Sequence, residues 1–343
     1  MEKIAIIGSG LSGCYLAYLL KDKYEVHIFD KARGTGGRAS SKRESETSFD
    51  YGLSCFNIED KAILQDLEKF PENLEKWQAG VLERDKYNSE TNFFYKSELF
   101  TSKPFANSLC KKFIEEINHN FKSHRVLEIK KITEKNYELS IEKEEEITKI
   151  SGFTKVISTA PNIQSAEITK NFPETSKLCL RAIMNSSFVV LISFQNELNS
   201  YDWLRNVDII QFKNSPIDSV YFNNHKPGRE GNPASIILKA NPYWSKAHVE
   251  IDKKRIEKLL TEEFFSLCGI RDPEISFTHT HRWLYSETAR AALEIKDYRH
   301  EKLFIMDKSK DSEQIYVCGD WCIGSKAEHA LMSAKSLADH LSL

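Results

Sequence analysis

A glycine-rich turn between two short apolar runs constrains the fold of this chain more than any other feature of the sequence. The turn, residues 8–13 (GSGLSG), follows the apolar run 4–7 and precedes the apolar segment 14–20. A second apolar run, 26–29, ends on Asp30. Strand, glycine turn, helix, strand and acid in this order predict a Rossmann-like βαβ unit that binds a dinucleotide.

Each glycine of the turn has a physical task in such a unit. Gly8 permits the tight turn out of the strand, Gly10 lets the backbone approach a pyrophosphate, and Gly13 lets the helix pack closely on the sheet. The unpaired N–H groups at the helix N-terminus favour phosphate oxygens. Asp30 lies seventeen residues after Gly13, and we expect its carboxylate to accept hydrogen bonds from a ribose diol.

A second glycine-rich loop, residues 31–38 (KARGTGGR), comes directly after Asp30. Its two guanidinium groups and one ammonium group can neutralise a pyrophosphate. Its glycines let the backbone lie flat against a ring system. An NAD dehydrogenase does not need such a loop, and the fingerprint followed by Gly36-Gly37-Arg38 resembles the FAD-binding end of the flavin amine oxidase superfamily. The alternative interpretation is an exposed basic turn.

The C-terminal region carries a second pattern typical of a flavin site. Residues 314–320 form a predicted strand that ends in Gly319-Asp320, followed by a predicted loop, 321–325, and a predicted helix, 326–340. The glycine backbone and the carboxylate are expected to contact the ribityl and phosphate groups. The start of the helix then points at the pyrimidine edge of the flavin, where reduced flavin carries negative charge.

Length and composition limit the class of protein. A chain of 343 residues is long enough for two domains. The net charge of −2 gives no reason to expect nucleic acid or an anionic membrane as a partner. The sequence has no apolar run of bilayer length and no signal-like N-terminus. Seven scattered cysteines suit a reducing compartment, so we expect a soluble cytoplasmic protein.

Between the two ends, the hydrophobic periodicity predicts a succession of helices and strands. The strand at 155–160 is expected to return the chain to the parallel sheet, and the strands after it to form a substrate domain. The predicted helices are 59–86 (broken at Pro71), 105–118 and 253–267; the predicted strands are 126–132, 137–141, 147–150, 155–160, 188–194 and 235–240.

Several short motifs resemble those of renalase-like flavoproteins in the flavin amine oxidase superfamily. They are 50–52 (DYG), 226–229 (KPGR), 244–245 (WS), 281–283 (HRW) and 319–321 (GDW). The resemblance implies an α/β fold in which a Rossmann-like FAD-binding domain interleaves with an α+β substrate domain, in the p-hydroxybenzoate hydroxylase topology. The implied FAD-binding domain comprises 1–50, 105–161 and 282–343, and the implied substrate domain comprises 51–104 and 162–281.

The resemblance also implies a noncovalently bound FAD and a set of residues that contact it. Residues 52–55 depart from the family, because they read Gly-Leu-Ser-Cys where the family usually reads Gly-Ala-Gln-Tyr. With the two glycine loops, the predicted FAD-binding residues are Gly8, Gly10, Leu11, Ser12, Gly13, Asp30, Lys31, Arg33, Gly37, Arg38, Ser54, Cys55, Val126, Gly319, Asp320 and Ala327.

For the reaction, the resemblance implies oxidation of 2- and 6-dihydro-NAD(P) isomers, with O2 accepting the electrons to give H2O2. Trp283 and Tyr285 are the candidates for placing the substrate ring, and His281 and Arg282 for contacting the flavin or a phosphate. Arg181 is a further candidate for binding a phosphate tail. The alternatives are a flavin amine oxidase or desaturase of the same superfamily, or a flavoprotein with little turnover.

Two other pairs of residues are weaker candidates for a functional site. His279 and His281 alternate along a predicted strand, as two metal ligands sometimes do, but no third ligand is evident, so no metal is predicted. Cys318 and Cys322 lie on a strand end and in a loop, which does not favour a redox pair.

Overall fold

The computed structural model describes residues 1–44, 47–196, 204, 206–229, 231, 233–307 and 314–342. The strands are β1 (Glu2–Ile7), β2 (Tyr24–Asp30), β3 (Lys42–Glu44), β4 (Thr47–Phe49), β5 (Leu74–Asp85), β6 (Phe93–Ser102), β7 (His119–Lys122), β8 (Arg125–Thr133), β9 (Asn136–Lys143), β10 (Glu146–Phe153), β11 (Lys155–Ser158), β12 (Ile183–Phe194), β13 (Ile209–Lys213), β14 (Ile217–Phe222), β15 (Ser235–Ala240), β16 (Ile275–Arg290), β17 (Ile305–Met306) and β18 (Ile315–Val317). The helices are α1 (Leu11–Leu20), α2 (Lys61–Leu67), α3 (Ser108–Phe113), α4 (Asn162–Ile168), α5 (Pro173–Leu180), α6 (Pro242–Ala247), α7 (Lys253–Cys268), α8 (Asp320–Ile323) and α9 (Ala327–Leu341).

Both ends of the chain build one six-stranded sheet, in the order β17-β18-β11-β1-β2-β7. The pairs that link β18, β11, β1, β2 and β7 are parallel, and β17 adds to β18 antiparallel. The predicted return of the chain to the parallel sheet is therefore confirmed, because β11 pairs with β1 from Ile4↔Lys155 to Ile7↔Ser158.

Strand β1 is apolar on both sides because a different layer covers each face of this sheet. Ile4 and Ile6 pack with α1 and α9, in a cluster that includes Leu16 and Leu331. Ala5 and Ile7 alternate to the other face and pack with residues of the three-stranded sheet β10-β9-β8. The three strands of that sheet are antiparallel and confirm the predicted hairpins.

A second, seven-stranded sheet has the order β16-β12-β15-β14-β13-β5-β6 and is antiparallel except for the pair β13–β5. Helix α7 covers one face with Ile256, Leu260 and Phe264, which are four residues apart and so form one stripe. Asp252 accepts hydrogen bonds from two backbone N–H groups at the start of α7, and Gly269 ends the helix in a left-handed conformation.

Two of the predicted helices are wrong in part. The helical prediction for 59–86 holds only for α2, and the chain from Leu74 onward is strand β5. In β5, Trp77, Ala79 and Val81 alternate into one apolar cluster, and β6 and β13 pair with the strand on both sides. The helix predicted for 105–118 is limited to α3.

The α/β architecture, with a parallel sheet built from both chain ends and a second sheet between them, agrees with the predicted fold class. The expected domain boundary at 281/282 falls inside β16, which pairs with β12 as far as Arg290. Within the described ranges, no helix is both long and apolar enough to cross a membrane.

Candidate nucleotide site and adjoining sheet face

The glycines in the turn between β1 and α1 are of two kinds: those that the fold itself requires and one that it leaves open to a ligand. Gly8 has a φ of +110°, and a Cβ on Gly13 would lie 2.1 Å from the carbonyl oxygen of Gly8. Both positions therefore require glycine for the fold itself. A Cβ on Gly10 would meet no described atom within 4 Å. The fold leaves Gly10 facing open space, as a position for a ligand phosphate requires.

The second glycine loop packs directly on the first. The N–H of Gly36 donates to the carbonyl of Ser9 at 2.8 Å, and Gly36 forms an isolated bridge with Gly10. Gly37 has a φ of +54°, and a Cβ there would lie 3.1 Å from the Cα of Gly10. Beside them, the buried hydroxyl of Thr35 has no hydrogen-bond partner among the described residues. We call residues 8–13 and 34–38 together the glycine cradle.

Asp30 holds the first turn of the glycine cradle in place. Its carboxylate accepts hydrogen bonds from Ser9 N at 2.6 Å, Ser9 Oγ at 2.7 Å and Ala32 N at 2.7 Å. The backbone carbonyl of Asp30 accepts from His124 N, which brings the start of β8 and the buried Val126 beside this strand end. The carboxylate contact with a ribose stays a prediction. Lys31 and Arg33 are exposed.

Arg38 joins the glycine cradle to the C-terminal part of the chain. Its guanidinium donates two hydrogen bonds to the carboxylate of Asp320, Nη1 at 2.8 Å and Nη2 at 2.5 Å. The same Nη1 donates to the carbonyl of Ser286, in β16, at 3.0 Å. Nearby, Ser12 Oγ lies 3.5 Å from Cys318 Sγ. The fold thus brings the predicted N-terminal and C-terminal halves of the FAD site together.

Two further predicted positions flank this junction. Gly319 donates its N–H to Ser333 Oγ, in α9, at 3.1 Å. Ala327 is the first residue of α9 and packs on the core beside α1. Leu11, the first residue of α1, packs on the same core.

The motifs at 50–52 and 226–229 meet in a buried cluster of charges. Asp50 Oδ2 accepts a hydrogen bond from Lys226 Nζ at 2.6 Å and one from Arg229 Nη2. Its Oδ1 accepts from Ser41 Oγ at 2.7 Å and Ala106 N at 2.9 Å. Burial alone raises the pKa of Asp50, but the two cations outweigh burial and hold that pKa below its usual value. We call Asp50, Lys226 and Arg229 the Asp50 cluster.

The Asp50 cluster fixes the segment that follows it. Ser54 Oγ donates to the Asp50 carbonyl at 2.9 Å, and Lys226 Nζ donates to the Ser54 carbonyl at 3.3 Å. The hydroxyl of Ser54 therefore makes its hydrogen bond within its own loop. Cys55 packs next to Trp77 and Tyr221 at one end of the seven-stranded sheet, and burial raises the pKa of its thiol to about 11.

An aromatic group lies on the face of the seven-stranded sheet opposite α7. The rings of Tyr51 and Trp283 are stacked with centroids 5.3 Å apart, and Trp283 Nε1 donates to the Tyr51 carbonyl at 3.1 Å. His281 meets both rings edge-on, at 4.9 and 4.3 Å. Burial, then the charge of Lys253, lowers the pKa of His281 to about 4. We call Tyr51, His281 and Trp283 the aromatic group.

The structure does not bring all of the predicted catalytic residues together. Tyr285 follows the aromatic group along β16 and is half-buried. Arg282 lies on the opposite side of the strand and donates from Nη1 to the carbonyl of Val249. Arg181 is at the end of α5, half-exposed, with its guanidinium 3.3 Å from Glu294.

An ion pair that the sequence analysis missed lies on the same sheet face as the aromatic group. Val189 pairs with both Lys239 and His281, so these three side chains share one face. Lys239 Nζ lies 3.2 Å from Glu287 Oε2. Burial opposes the charge of Lys239, but Tyr221 and Glu287 outweigh it and raise the lysine pKa. The signal was the period-2 alternation of β15, which places Lys239 with Ile237.

Two glycine loops that pack on each other at the start of α1, closed by the Arg38–Asp320 pair, define the class of a protein with a Rossmann-like dinucleotide-binding unit. Residues 6–70 match the profile of the NAD(P)-binding Rossmann-like domain, and residues 88–342 match that of the flavin containing amine oxidoreductases. The second match spans well over half of the chain. The chain belongs to the flavin-containing amine oxidoreductase family, and it is a flavin-dependent oxidoreductase.

Solved structures share this fold. The chain is similar to a putative protoporphyrinogen oxidase from Exiguobacterium sp. 255-15, with a TM-score of 0.78 and 11% identity, over 99% of this chain and 98% of that one. It is also similar to wild-type putrescine oxidase bound to putrescine, with a TM-score of 0.73 and 9% identity, over 99% of both chains. At such identities the likeness concerns the fold alone.

Proposed function

We propose that the enzyme binds FAD noncovalently in the glycine cradle and oxidises a reduced pyridine, such as 2- or 6-dihydro-NAD(P), with O2 as the electron acceptor. The reaction balances as dihydropyridine, O2 and one proton giving the aromatic pyridinium and H2O2. The FAD, when bound, supplies the hydride acceptor.

The residues of the glycine cradle fit such a cofactor. The open space at Gly10 admits a pyrophosphate against the backbone, and the unpartnered Thr35 hydroxyl lies in the same loop pair. Arg38 adds a guanidinium whose charge suits the pyrophosphate, while Asp320 holds it in place.

The stack of Tyr51 on Trp283 is the observation that carries the choice of substrate. It offers a flat aromatic surface against which a planar ring can lie. Trp283 is three residues before Ser286, whose carbonyl contacts Arg38, so this surface adjoins the glycine cradle. Ring placement at near-attack distance is the main task for the protein, because a dihydropyridine gains aromaticity when it loses a hydride.

Three titratable groups at or beside the aromatic group bear on the pH dependence of the reaction. The pKa of His281 is about 4, so its imidazole is neutral at higher pH. The pKa of the Cys55 thiol is about 11, and burial and Cys55 raise the pKa of Tyr221 to about 12. Both groups keep their protons at lower pH. Between roughly pH 5 and pH 10, none of these three groups changes its protonation state. We expect the rate of flavin reduction by a dihydropyridine to vary little across that range.

Anaerobic stopped-flow mixing tests the proposal. Yellow protein is mixed with 2- and 6-dihydro-NAD(P) and with a panel of amines, and bleaching of the flavin is followed from pH 6 to pH 9 (about three units, enough to reveal a single titration). We expect the dihydropyridines to bleach the flavin at a rate that hardly depends on pH. Colourless protein that takes up no FAD would reject the cofactor assignment.

A pair of tryptophan variants gives the experiment a matched control. Trp283→Leu removes the stacking surface and should slow reduction by dihydropyridines roughly tenfold or more, without loss of bound flavin. Trp244→Leu removes a tryptophan that stacks on His248 at 4.0 Å, in α6, and should leave the rate unchanged. Equal effects of the two changes would assign Trp283 to the core.

Amine oxidation is the second candidate function. It is supported by the family profile, which matches residues 88–342. An amine substrate must lose a proton before it gives up a hydride, so the rate would rise steeply with pH. Rapid bleaching by amines with such a rise, and none by dihydropyridines, would replace the first function with the second.

A further inference from the structure

Three metal-ligating side chains converge on one face of the parallel sheet. Glu25 and His27 are alternate residues of β2, so they point to the same side. His119, in β7, is the direct cross-strand partner of His27. His27 and His119 are 92 positions apart in the sequence, so their spacing does not indicate that they lie together.

Two of the distances among the three ligand atoms bracket the spacing around a tetrahedral ion, and the shorter of them is also a hydrogen bond between Glu25 and His27. Glu25 Oε1 lies 2.8 Å from His27 Nε2 and 3.6 Å from His119 Nε2, and the three ligand atoms are all within 4.8 Å of one another. Zinc bonds of about 2.0–2.1 Å at the tetrahedral angle place neighbouring ligand atoms about 3.3 Å apart. The two observed distances lie on either side of that value.

The surroundings hold His27 firmly and leave the other two ligands accessible to water. His27 is buried and packs edge-on against Phe153 at 5.6 Å. The ring of His119 is stacked on it at 4.1 Å and parallel. His119 and Glu25 are each 46% exposed, so His119 can tilt to aim its lone pair at the ion and water can complete the coordination.

The charge balance also suits a dication. The Glu25 carboxylate supplies a negative charge to the three-residue cluster. Lys3 is an opposing charge in the surroundings, and its ammonium lies over the Phe153 ring at 4.4 Å. Two nitrogens and one oxygen favour Zn²⁺ over Mg²⁺ and Ca²⁺, which prefer oxygen ligands.

We propose that Glu25, His27 and His119 form a binding site for Zn²⁺ that ties β7, at the edge of the parallel sheet, to β2. The site is separate from the glycine cradle, because it lies in the earlier part of β2 and Asp30 is the last residue of the same strand. Its occupancy should stabilise the sheet edge without taking part in flavin reduction.

Calorimetric titration of tag-free, flavin-loaded protein with Zn²⁺ tests the proposal, with Mg²⁺ as the comparison ion. We expect one Zn²⁺ per chain, a higher melting temperature that EDTA reverses, and no response to Mg²⁺. Glu25→Gln and His119→Gln change exposed ligands and should weaken Zn²⁺ binding by roughly tenfold or more. Both variants should reduce their flavin at the rate of the unchanged protein.

His124→Gln is the matched control, since His124 follows β7 and lies outside the cluster. It should bind Zn²⁺ as the unchanged protein does. The proposal is overturned if binding is not saturable at one ion per chain, or if His119→Gln binds Zn²⁺ with undiminished affinity. Neither result would bear on the flavin-dependent function.

Discussion

At the scale of single residues, Arg38 has two roles. It neutralises Asp320, which is almost fully buried, and it places a guanidinium at the glycine cradle. A carboxylate and a pyrophosphate both match the planar fork of arginine better than the point charge of lysine. We therefore expect loss of this side chain to weaken cofactor binding and also to lower stability, because it leaves the buried Asp320 carboxylate without its cation.

We predict that Arg38→Ala lowers the affinity for FAD by roughly tenfold or more, as expected from a charge-assisted hydrogen bond worth about 1.5–3 kcal/mol. The affinity of Arg38→Lys for FAD should lie between those of the unchanged protein and Arg38→Ala, because lysine keeps the positive charge but lacks the planar guanidinium fork. The fluorescence of flavin released on dilution measures the dissociation constant. Arg125→Ala, at an exposed position of β8, is the control, and an unchanged constant in Arg38→Ala would contradict the prediction.

The sequence indicated candidate residues for the site, but it only partly indicated which side of a strand each side chain occupies. The pattern identified His281, Arg282 and Trp283 together, yet alternation along β16 separates Arg282 from the other two. Lys239 was missed because a lysine inside an apolar strand looks like an edge or solvent position. Only the pairing with β12 shows that it shares a face with His281.

At the scale of elements, the turn between β1 and α1 allows cofactor binding and folding to be tested separately. Gly10→Ala places a methyl group in open space, so the flavin-free protein should keep its stability while its FAD affinity falls. Gly13→Ala places the methyl group against the Gly8 carbonyl and should lower both quantities. Urea unfolding of the flavin-free proteins and flavin titration measure the two effects. Equal stability losses would contradict the distinction.

The glycine loops could be predicted from sequence because each uses a local backbone rule, whereas β5 could not. Its apolar residues happen to continue the helical spacing of α2, and the strand forms because β6 and β13 offer partners on both sides. Gly80 was the available signal. A Cβ there would lie 2.0 Å from the carbonyl oxygen of Asn206, so a neighbouring backbone must pass close to this residue.

At the scale of the whole molecule, the Asp50 cluster connects segments that lie far apart in the chain. We propose the division into 1–50, 105–161 and 282–343 for FAD and 51–104 and 162–281 for substrate. In that division Asp50 ends one unit and Lys226 and Arg229 belong to the other. One carboxylate therefore holds two buried cations of the neighbouring unit.

We predict that Asp50→Asn lowers the free energy of unfolding by about 3–5 kcal/mol, because it leaves two buried cations without their carboxylate. Glu75→Gln is the control: Glu75 pairs with Lys103 near the surface, and its loss should cost about 0–1 kcal/mol. Urea denaturation followed by circular dichroism compares the two variants. Similar losses in both would mean that the Asp50 cluster does little to hold the units together.

The order of strands in the parallel sheet has a consequence for synthesis on the ribosome. Strand β1 emerges first and can pair early with β2, but its other neighbour, β11, is made some 150 residues later, and β18 later still. Such distant pairings are slow and leave apolar strands uncovered in the meantime. The nascent chain therefore cannot complete the proposed cofactor site until Asp320 and α9 have been made, some 300 residues after β1.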